Sequence, residues 1–227
     1  MNDEYVHFGD VVQIANLASG AVLAVDVEAR DPRPAENACA VSATVQHADP
    51  CARNTFTFEK YVPRASAVLV PTYDDDVLHY GQKVKLVVNP AAGGAPPARL
   101  KSFPVTTTHF SRFSRNCEVV ACGVDSYECV FEVLTPDPAK RLVSEGVAVM
   151  AGAPVVFLHC QTNQCLSVEG FSFANDFGDE LEVCGRTDVG AGNSYVMEGM
   201  ATGKPQSMTQ KAPGNVNVFT IVGGTRE

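Results

Sequence analysis

The adjacent pair His159 and Cys160 is the first candidate for chemistry in this chain. A cysteine becomes a nucleophile when its surroundings lower the pKa of its thiol. Neighbouring residues of a strand point to opposite faces, so this histidine would not activate this thiol. Cys160 and Cys165 flank a predicted hairpin and could approach each other, but thiols stay reduced in a cytosolic setting. Core packing is the favoured interpretation of both, and no catalytic residue is predicted.

The sequence also predicts no metal or cofactor site. The run Asp74-Asp75-Asp76 lacks the spaced oxygen ligands and turn glycine of a calcium loop, so a solvated loop is favoured. His7 and His79 each precede an aromatic residue and a glycine, which favours a repeated structural hydrogen bond. None of the eight cysteines forms a Cys-x-x-Cys pair, and the glycine clusters match no phosphate or dinucleotide loop.

The charge distribution points to a protein-binding face. A net charge of −9 argues against nucleic acid and anionic membranes as partners. The stretch from Val77 to Cys117 nevertheless contains no acidic residue. Its six cations would orient the protein on an acidic partner, and the alternative is an ordinary solvated face. They are Lys83, Lys85, Arg99, Lys101, Arg112 and Arg115.

Length and hydropathy indicate one folded domain on the cytosolic side of membranes. The 227 residues, 45% of them hydrophobic, can form a substantial core. No apolar run is long enough to cross a bilayer, and Met1-Asn2-Asp3-Glu4 lacks the features of a signal peptide.

A repeated pattern organises the chain. The segment from His7 to Ile14 recurs at His79 to Leu86, and the same offset of 72 positions leads next to Ala153–Leu158. This alignment makes Val12, Val84 and Val156 equivalent, and likewise Ile14, Leu86 and Leu158. Alternation of this kind is typical of a strand with one buried face.

Three further strands follow in each copy. The predicted second strands are Gly20–Val25, one beginning at Arg99-Leu100 after a long loop, and Asn163–Val168. The predicted third strands are Cys39–Ser42, Glu118–Ala121 and Glu182–Gly185. The predicted fourth strands are Thr55–Phe58, Cys129–Val133 and Ser194–Met197. The segment Asn217–Val222 could instead supply the last of these, or add an edge strand.

Twelve strands in three copies predict an all-β fold, a β-trefoil with long loops between strands, and a β-sandwich is the alternative. The predicted repeats span about 5–61, 77–136 and 150–199 of a trefoil that occupies 1–199. Residues 200–227 are predicted to be a tail that packs on the domain or extends it. Loops of such a fold are the usual place for binding surfaces. Sugar stacking has little support because the chain contains no tryptophan, so a glycan- or ligand-binding trefoil is only the alternative function.

Several segments together resemble the family of cilia- and flagella-associated protein 161, over about Tyr5 to Lys204. The segments that carry the resemblance are Tyr5–Val12, Arg53–Phe56, Val77–Gln82, Pro136–Pro138, Arg141-Leu142, Glu145-Gly146, His159–Asn163, Phe177-Gly178 and Glu182-Val183. None of them is a catalytic motif. Members of the family usually carry an extension before the first repeat, and here that repeat begins almost at Met1.

The resemblance implies a microtubule inner protein of ciliary and flagellar axonemes, inside the A-tubule of doublet microtubules. It implies a β-trefoil related to MIR domains, no enzymatic activity, and tubulin and other luminal proteins as partners. Because tubulin is acidic, the six cations of the second repeat are the predicted tubulin-facing residues.

Overall fold

The computed structural model describes residues 4–30, 38–46, 49–63, 73–93, 97–188 and 213–225. Twelve strands dominate these ranges: β1 Val11–Asn16, β2 Val22–Arg30, β3 Ala38–Thr44, β4 Phe56–Lys60, β5 Lys83–Val88, β6 Arg99–Ser102, β7 Cys117–Cys122, β8 Phe131–Leu134, β9 Pro154–His159, β10 Gln164–Asn175, β11 Gly178–Gly185 and β12 Phe219–Thr225. The connections contain the short helix α1 Arg141–Ser144 and 3-10 turns at Ala52–Asn54, Pro90–Ala92, Tyr127–Cys129, Pro138–Lys140 and Asn215–Asn217. In the described ranges, none of the helices is long and apolar enough to cross a bilayer.

Six strands close into a barrel. β1 pairs with β4, β4 with β5, β5 with β8, β8 with β9, β9 with β12, and β12 returns to β1, always antiparallel. A closed barrel leaves no unpaired edge among its own strands. Its interior is filled by one hydrophobic cluster that includes Phe56, Phe131, Phe157 and Phe219.

Three hairpins cap one end of this barrel. They are β2–β3, β6–β7 and β10–β11, and their inner strands β3, β7 and β11 pair with one another in a triangle. Val41, Val119 and Val183 occupy equivalent places in this triangle and belong to the main core. This arrangement confirms the predicted β-trefoil and excludes the β-sandwich, which has two stacked sheets and no threefold arrangement.

A ring of three backbone hydrogen bonds closes the other end of the barrel. The N–H of Val6 donates to the carbonyl of Val149 at 3.0 Å, that of Leu78 to Val6 at 2.8 Å, and that of Val149 to Leu78 at 2.8 Å. All three side chains are buried. Each repeat therefore supplies one donor and one acceptor to the same ring.

The third repeat is shifted by one residue from its predicted alignment. Facing pairs on the barrel strands are Val12 with Phe56, Val84 with Phe131, and Val155 with Phe219, so Val155 is the true equivalent of Val12 and Val84. The predicted equivalence of Val156 and Leu158 was wrong. Val156 instead joins a separate cluster with Leu134, Cys165 and Val218, and Leu158 is partly buried against it.

A one-residue slip moves side chains to the other face of a strand, which explains the exchange of clusters. The glycines that precede the first strand of each repeat have the spacing that matches the observed register. Gly9, Gly81 and Gly152 all have positive φ, at 92°, 82° and 78°, and the last two are 71 residues apart. Gly is the residue that adopts such a backbone without strain, so it fixes the register.

The barrel is closed by β12 and not by a strand within 1–199. The predicted strand Ser194–Met197 lies outside the described residues. Asn217 and Phe219 repeat the pattern of Asn54 and Phe56, and both asparagines end a 3-10 turn just before their strand. The trefoil of the structure therefore extends to Thr225 and includes part of the segment predicted to be a tail.

Candidate protein-binding surface

Three of the six cations from the acid-free stretch are held in ion pairs. Lys85 Nζ lies 2.7 Å from Asp125, Lys101 Nζ lies 2.8 Å from Glu128, and Arg99 lies 2.8 Å from Glu59. Lys85 and Lys101 are only 7% and 6% exposed. The acids come from β4 and from the connection between β7 and β8, far from these cations in sequence. The fold thus neutralises much of the local surplus of positive charge.

Lys83 is half-buried on β5 and lies opposite Glu132 on the neighbouring strand β8. Burial raises the pKa of Glu132, and the charge of Lys83 opposes that rise. Lys83 is therefore part of the barrel wall, where its charge acts on a neighbouring carboxyl. It does not lie with the exposed cations of the candidate surface.

Arg112 and Arg115 are exposed on the arginine loop, which we define as residues 110–116. The Arg112 guanidinium lies 5.2 Å from the centre of the Phe113 ring, and that of Arg115 lies 4.4 Å from the Phe110 ring. Stacking on aromatic rings leaves the polar edges of a guanidinium available to carboxylates. These two residues are the part of the predicted contact face that the structure presents to solvent.

Glu182 of β11 fixes the arginine loop on the hairpins that cap the barrel. Its carboxylate accepts hydrogen bonds from the backbone N–H groups of Phe113, at 2.7 Å, and Ser114, at 2.9 Å. Within the loop, the N–H of Ser111 donates to the carbonyl of Asn116 at 2.9 Å. Arg115 adopts a positive φ of 60°. The two exposed arginines are therefore held by a defined backbone.

An apolar cleft of about 460 Å³ lies beside the arginine loop at the hairpin end of the trefoil. Strands β2, β3, β7, β10 and β11 contribute to it together with the loop. Its lining includes the valine triad of Val41, Val119 and Val183 and the rings of Phe113 and Phe173. Sequence reasoning missed this cleft, because its lining comes from all three repeats.

Glu180 is the centre of a buried network that joins the first and third repeats. Arg53 donates to both of its carboxylate oxygens, at 2.7 and 3.1 Å, and Ser42 and Asn175 donate to it at 2.5 and 2.6 Å. Burial alone would raise the pKa of Glu180, but these hydrogen bonds outweigh it and hold that pKa below its ordinary value. Arg53 also stacks over Phe177, with its guanidinium 3.7 Å from the ring centre.

His159 and Cys160, the first candidate for chemistry, have structural contacts and not catalytic ones. His159 is buried, with Nδ1 2.8 Å from the Thr162 hydroxyl and Nε2 2.8 Å from the carbonyl of Glu128. Burial lowers the pKa of His159 and raises that of Cys160 to about 11. A thiol with that pKa is protonated near neutral pH and is a poor nucleophile. All eight cysteines are free thiols, including Cys160 and Cys165.

Asp75 and Asp76 of the acidic run contact the two matched histidines, at the end of the barrel with the ring of three backbone hydrogen bonds. Asp76 lies 3.2 Å from Nδ1 of His7, and Asp75 lies 3.4 Å from Nε2 of His79. The repeated hydrogen bond involves the backbone of the histidines, because their N–H groups donate to the side chains of Asp10 and Gln82. In the part of the chain that the structure describes, no cluster of three or more His, Cys, Asp or Glu residues could hold a metal ion.

A second, more polar cleft of about 440 Å³ lies between the second and third repeats. Gln161, Thr162, Gln164 and Asn116 line it, and Arg186 stands at its side. Among the described residues of its lining there is no aromatic ring on which a sugar could stack. It therefore adds little to the alternative of a glycan-binding trefoil.

Comparison with known proteins agrees with the resemblance inferred from the sequence. Residues 103–191 match the family profile described as the cilia- and flagella-associated protein 161-like domain. The chain is 28% identical over 207 residues to cilia- and flagella-associated protein 161 of Danio rerio. That alignment covers 82% of this chain and 64% of the zebrafish protein, so the chain spans less than two thirds of its relative.

Solved structures resemble the fold. A crystal structure of the SDF2-like protein from Arabidopsis thaliana superposes with a TM-score of 0.65 and 13% identity, covering 98% of this chain and 97% of that one. A Caenorhabditis elegans protein of unknown function gives 0.64 and 14%, covering 97% of each chain. At this identity the likeness concerns the fold alone, and it agrees with a MIR-like β-trefoil. The family profile over residues 103–191 and the zebrafish relative therefore show that this chain is similar to cilia- and flagella-associated protein 161.

Proposed function

We propose that this protein is a structural component of cilia and flagella, a microtubule inner protein in the A-tubule lumen of doublet microtubules. In this proposal it binds tubulin and neighbouring luminal proteins and performs no catalysis. The observation that carries the proposal is the similarity to the zebrafish cilia- and flagella-associated protein over 82% of the chain.

The positions that carry the resemblance support a scaffold role. Arg53 belongs to the buried network around Glu180 and stacks on Phe177. Asn54 ends the turn before β4, and Glu182 fixes the arginine loop. These residues are used to shape the trefoil and its loops. A protein whose family signature lies in such contacts is well suited to present a surface to partners.

The exposed charges support an acidic partner. Arg112 and Arg115 stand on a backbone that Glu182 and Asn116 fix, so binding through them requires little additional ordering of the loop. Tubulin is acidic and would meet these side chains with carboxylates. Lys85, Arg99 and Lys101 are already paired and contribute less to such a contact.

The test is co-fractionation of the tagged chain with axonemal doublets after membranes and soluble matrix have been stripped away. We expect the protein to remain with the doublets through a high-salt wash, because a luminal protein is enclosed by the tubule wall. Cryo-electron tomography of gold-labelled doublets then gives its position. Release with the matrix would contradict the proposal, and label on the outer wall would contradict the luminal position.

A further inference from the structure

The three repeats differ at one equivalent position in the lining of the apolar cleft. Ala40 faces Val120 on the neighbouring strand, Glu118 faces Cys184, and Glu182 faces Ser42, which makes Ala40, Glu118 and Glu182 equivalent around the threefold axis. Two repeats place a carboxylate there and the first places a methyl group. Ala40 lines the cleft, is itself exposed and has the smallest side chain of the three.

The cleft is suited to an apolar side chain. Its base is the valine triad, and Phe113 and Phe173 form a stacked pair at its side, with their ring centres 5.7 Å apart. Phe171 extends this aromatic surface, since its ring lies 6.5 Å from that of Phe113 and it is 48% exposed. Pockets of about 300–1,000 Å³ with apolar linings are the usual size for ligand or anchor sites. Exposed aromatic surface next to such a pocket marks a site of interaction.

The rim of the cleft favours negative charge. Glu182 is engaged by two backbone N–H groups, and Glu118 lies 3.4 Å from Nδ1 of His109. Arg112 also lines the cleft and is exposed, and Arg115 is exposed on the same loop. Carboxylates that already have donors attract a further cation weakly, whereas exposed guanidinium groups pair readily with carboxylates. The charge offered to a partner is therefore positive.

We propose that this cleft is the docking site for a protein segment that has one large apolar side chain flanked by Asp or Glu. The apolar side chain lies on the valine triad between the aromatic rings, and the flanking carboxylates reach Arg112 and Arg115. The inference rests on the proposed function insofar as it takes the chain to be a protein-binding module, and it adds the chemistry of the partner.

The experiment measures fluorescence anisotropy of a labelled peptide in which one phenylalanine is flanked on both sides by glutamates, titrated with the purified full chain. Two matched peptides replace the phenylalanine by alanine or the glutamates by lysines. We expect the acidic phenylalanine peptide to bind at least about ten-fold more tightly than either, because buried aromatic anchors dominate such contacts. Its binding should also weaken as salt is added.

Protein variants locate the binding to the cleft. Ala40→Trp fills the opening from an exposed position, and Arg112→Glu reverses the charge at the rim. Each should weaken binding by about ten-fold or more. The matched controls Ala139→Trp and Lys140→Glu change exposed residues of the connection that precedes α1 and should leave binding unchanged. Thermal unfolding of all four variants shows whether they remain folded.

Three results would overturn the proposal: no binding of the acidic phenylalanine peptide, equal binding of all three peptides, or full binding to folded Ala40→Trp. Binding of glycans that Ala40→Trp abolishes, without binding of the peptide, would assign the cleft to carbohydrate and also overturn it. Because these measurements use the purified chain, they can fail while co-fractionation with doublets succeeds, and the reverse is equally possible. The two proposals are therefore tested separately.

Discussion

Arg53 donates two hydrogen bonds to the buried carboxylate of Glu180, at 2.7 and 3.1 Å, and so joins the turn before β4 to the hairpin of the third repeat. The Glu180 side chain is fully buried and that of Arg53 is 13% exposed. A charge in that position is tolerated only while its partner is present. The pair thus makes the packing of one repeat depend on another.

Removing this partner should destabilise the fold. We expect Arg53→Ala to lower the free energy of unfolding by about 3 kcal/mol, because the buried carboxylate keeps hydrogen bonds from Ser42 and Asn175 but loses its opposite charge. Urea denaturation followed by circular dichroism measures the change. The control Lys140→Ala removes an exposed ion pair with Asp137 and should change stability by less than about 1 kcal/mol. A loss equal to that of the control would contradict the structural role of Arg53.

Asn217 should be essential to the closing strand. Its Oδ1 accepts from the N–H of Asp188 at 2.7 Å, and its Nδ2 donates to the carbonyls of Leu166 and Arg186 at 3.0 and 2.6 Å. We expect Asn217→Ala to cost about 2–3 kcal/mol, because buried backbone groups lose their partners. The neighbouring Asn215 is exposed, and Asn215→Ala should stay within about 0.5 kcal/mol. Similar denaturation midpoints for the two variants would refute this role.

Stability should fall in mild acid because of His159. Burial lowers its pKa in the folded state, so below pH ~6.5 the unfolded chain binds a proton that the folded chain does not. The loss of stability begins near that pH and continues down to the folded pKa. Nδ1 and Nε2 face Thr162 and the carbonyl of Glu128, and the ring packs on Phe131. The Glu128 carboxylate favours the imidazolium, but burial outweighs this effect on the pKa of His159.

Unfolding free energies between pH 7.5 and 5.5 test this assignment. His159→Gln cannot titrate, so its stability should depend less on pH than that of the natural protein, although it is lower at pH 7.5. The other histidines are present in both proteins and cancel in the comparison. Glu180 acts in a separate range, because a lowered carboxyl pKa contributes stability that is lost only as pH falls below ~4.3. Identical pH profiles for the two proteins would reject the role of His159.

Cys160 should react slowly with iodoacetamide. A pKa of about 11 leaves it with over a hundredfold less thiolate at pH 7.5 than a cysteine with the ordinary value near 8.5. Cys51 is exposed and serves as the internal reference. Mass spectrometry of tryptic peptides after timed labelling gives both rates. Labelling of Cys160 as fast as Cys51 would contradict the raised pKa and make Cys160 a candidate nucleophile.

Charge reversal should separate binding from folding. We expect Arg112→Glu combined with Arg115→Glu to reduce incorporation into doublets several-fold without changing the unfolding midpoint, because both side chains are exposed. Lys85→Glu should instead destabilise the fold by about 2–4 kcal/mol, because it places a buried carboxylate beside Asp125. Lys140→Glu is the control for exposed charge. Unchanged incorporation of the double variant would contradict a role of the arginine loop in the proposed tubulin contact.

The repeat was predictable because the strands depend on local patterns. Alternating Val12 and Ile14 indicate one buried face, and Gly20 and Asn163 at the hairpins have the positive φ that such turns require, 68° and 54°. The register of the third repeat failed because Val155 to Leu158 are apolar without interruption, so either alternate set could have faced the core. The spacing of 71 residues between Gly81 and Gly152 indicates the correct register.

The candidate surface was predictable only in part. A count of local charge cannot show that Glu59 and Glu128 come from other parts of the chain to neutralise Arg99 and Lys101. The cleft could not be predicted either, because its lining comes from strands of all three repeats, and only the pairing of β3, β7 and β11 brings these strands together. Both the neutralised cations and the cleft thus depend on contacts between residues that are distant in sequence.

The three backbone bonds among Val6, Leu78 and Val149 make the trefoil indivisible at its base. If any one repeat detaches, one backbone N–H and one backbone carbonyl of the other two repeats lose their hydrogen-bond partners. A force that pulls on one third of the molecule is consequently shared among all three. Such a base resists gradual peeling of one repeat from the others, which would suit the structural role proposed above.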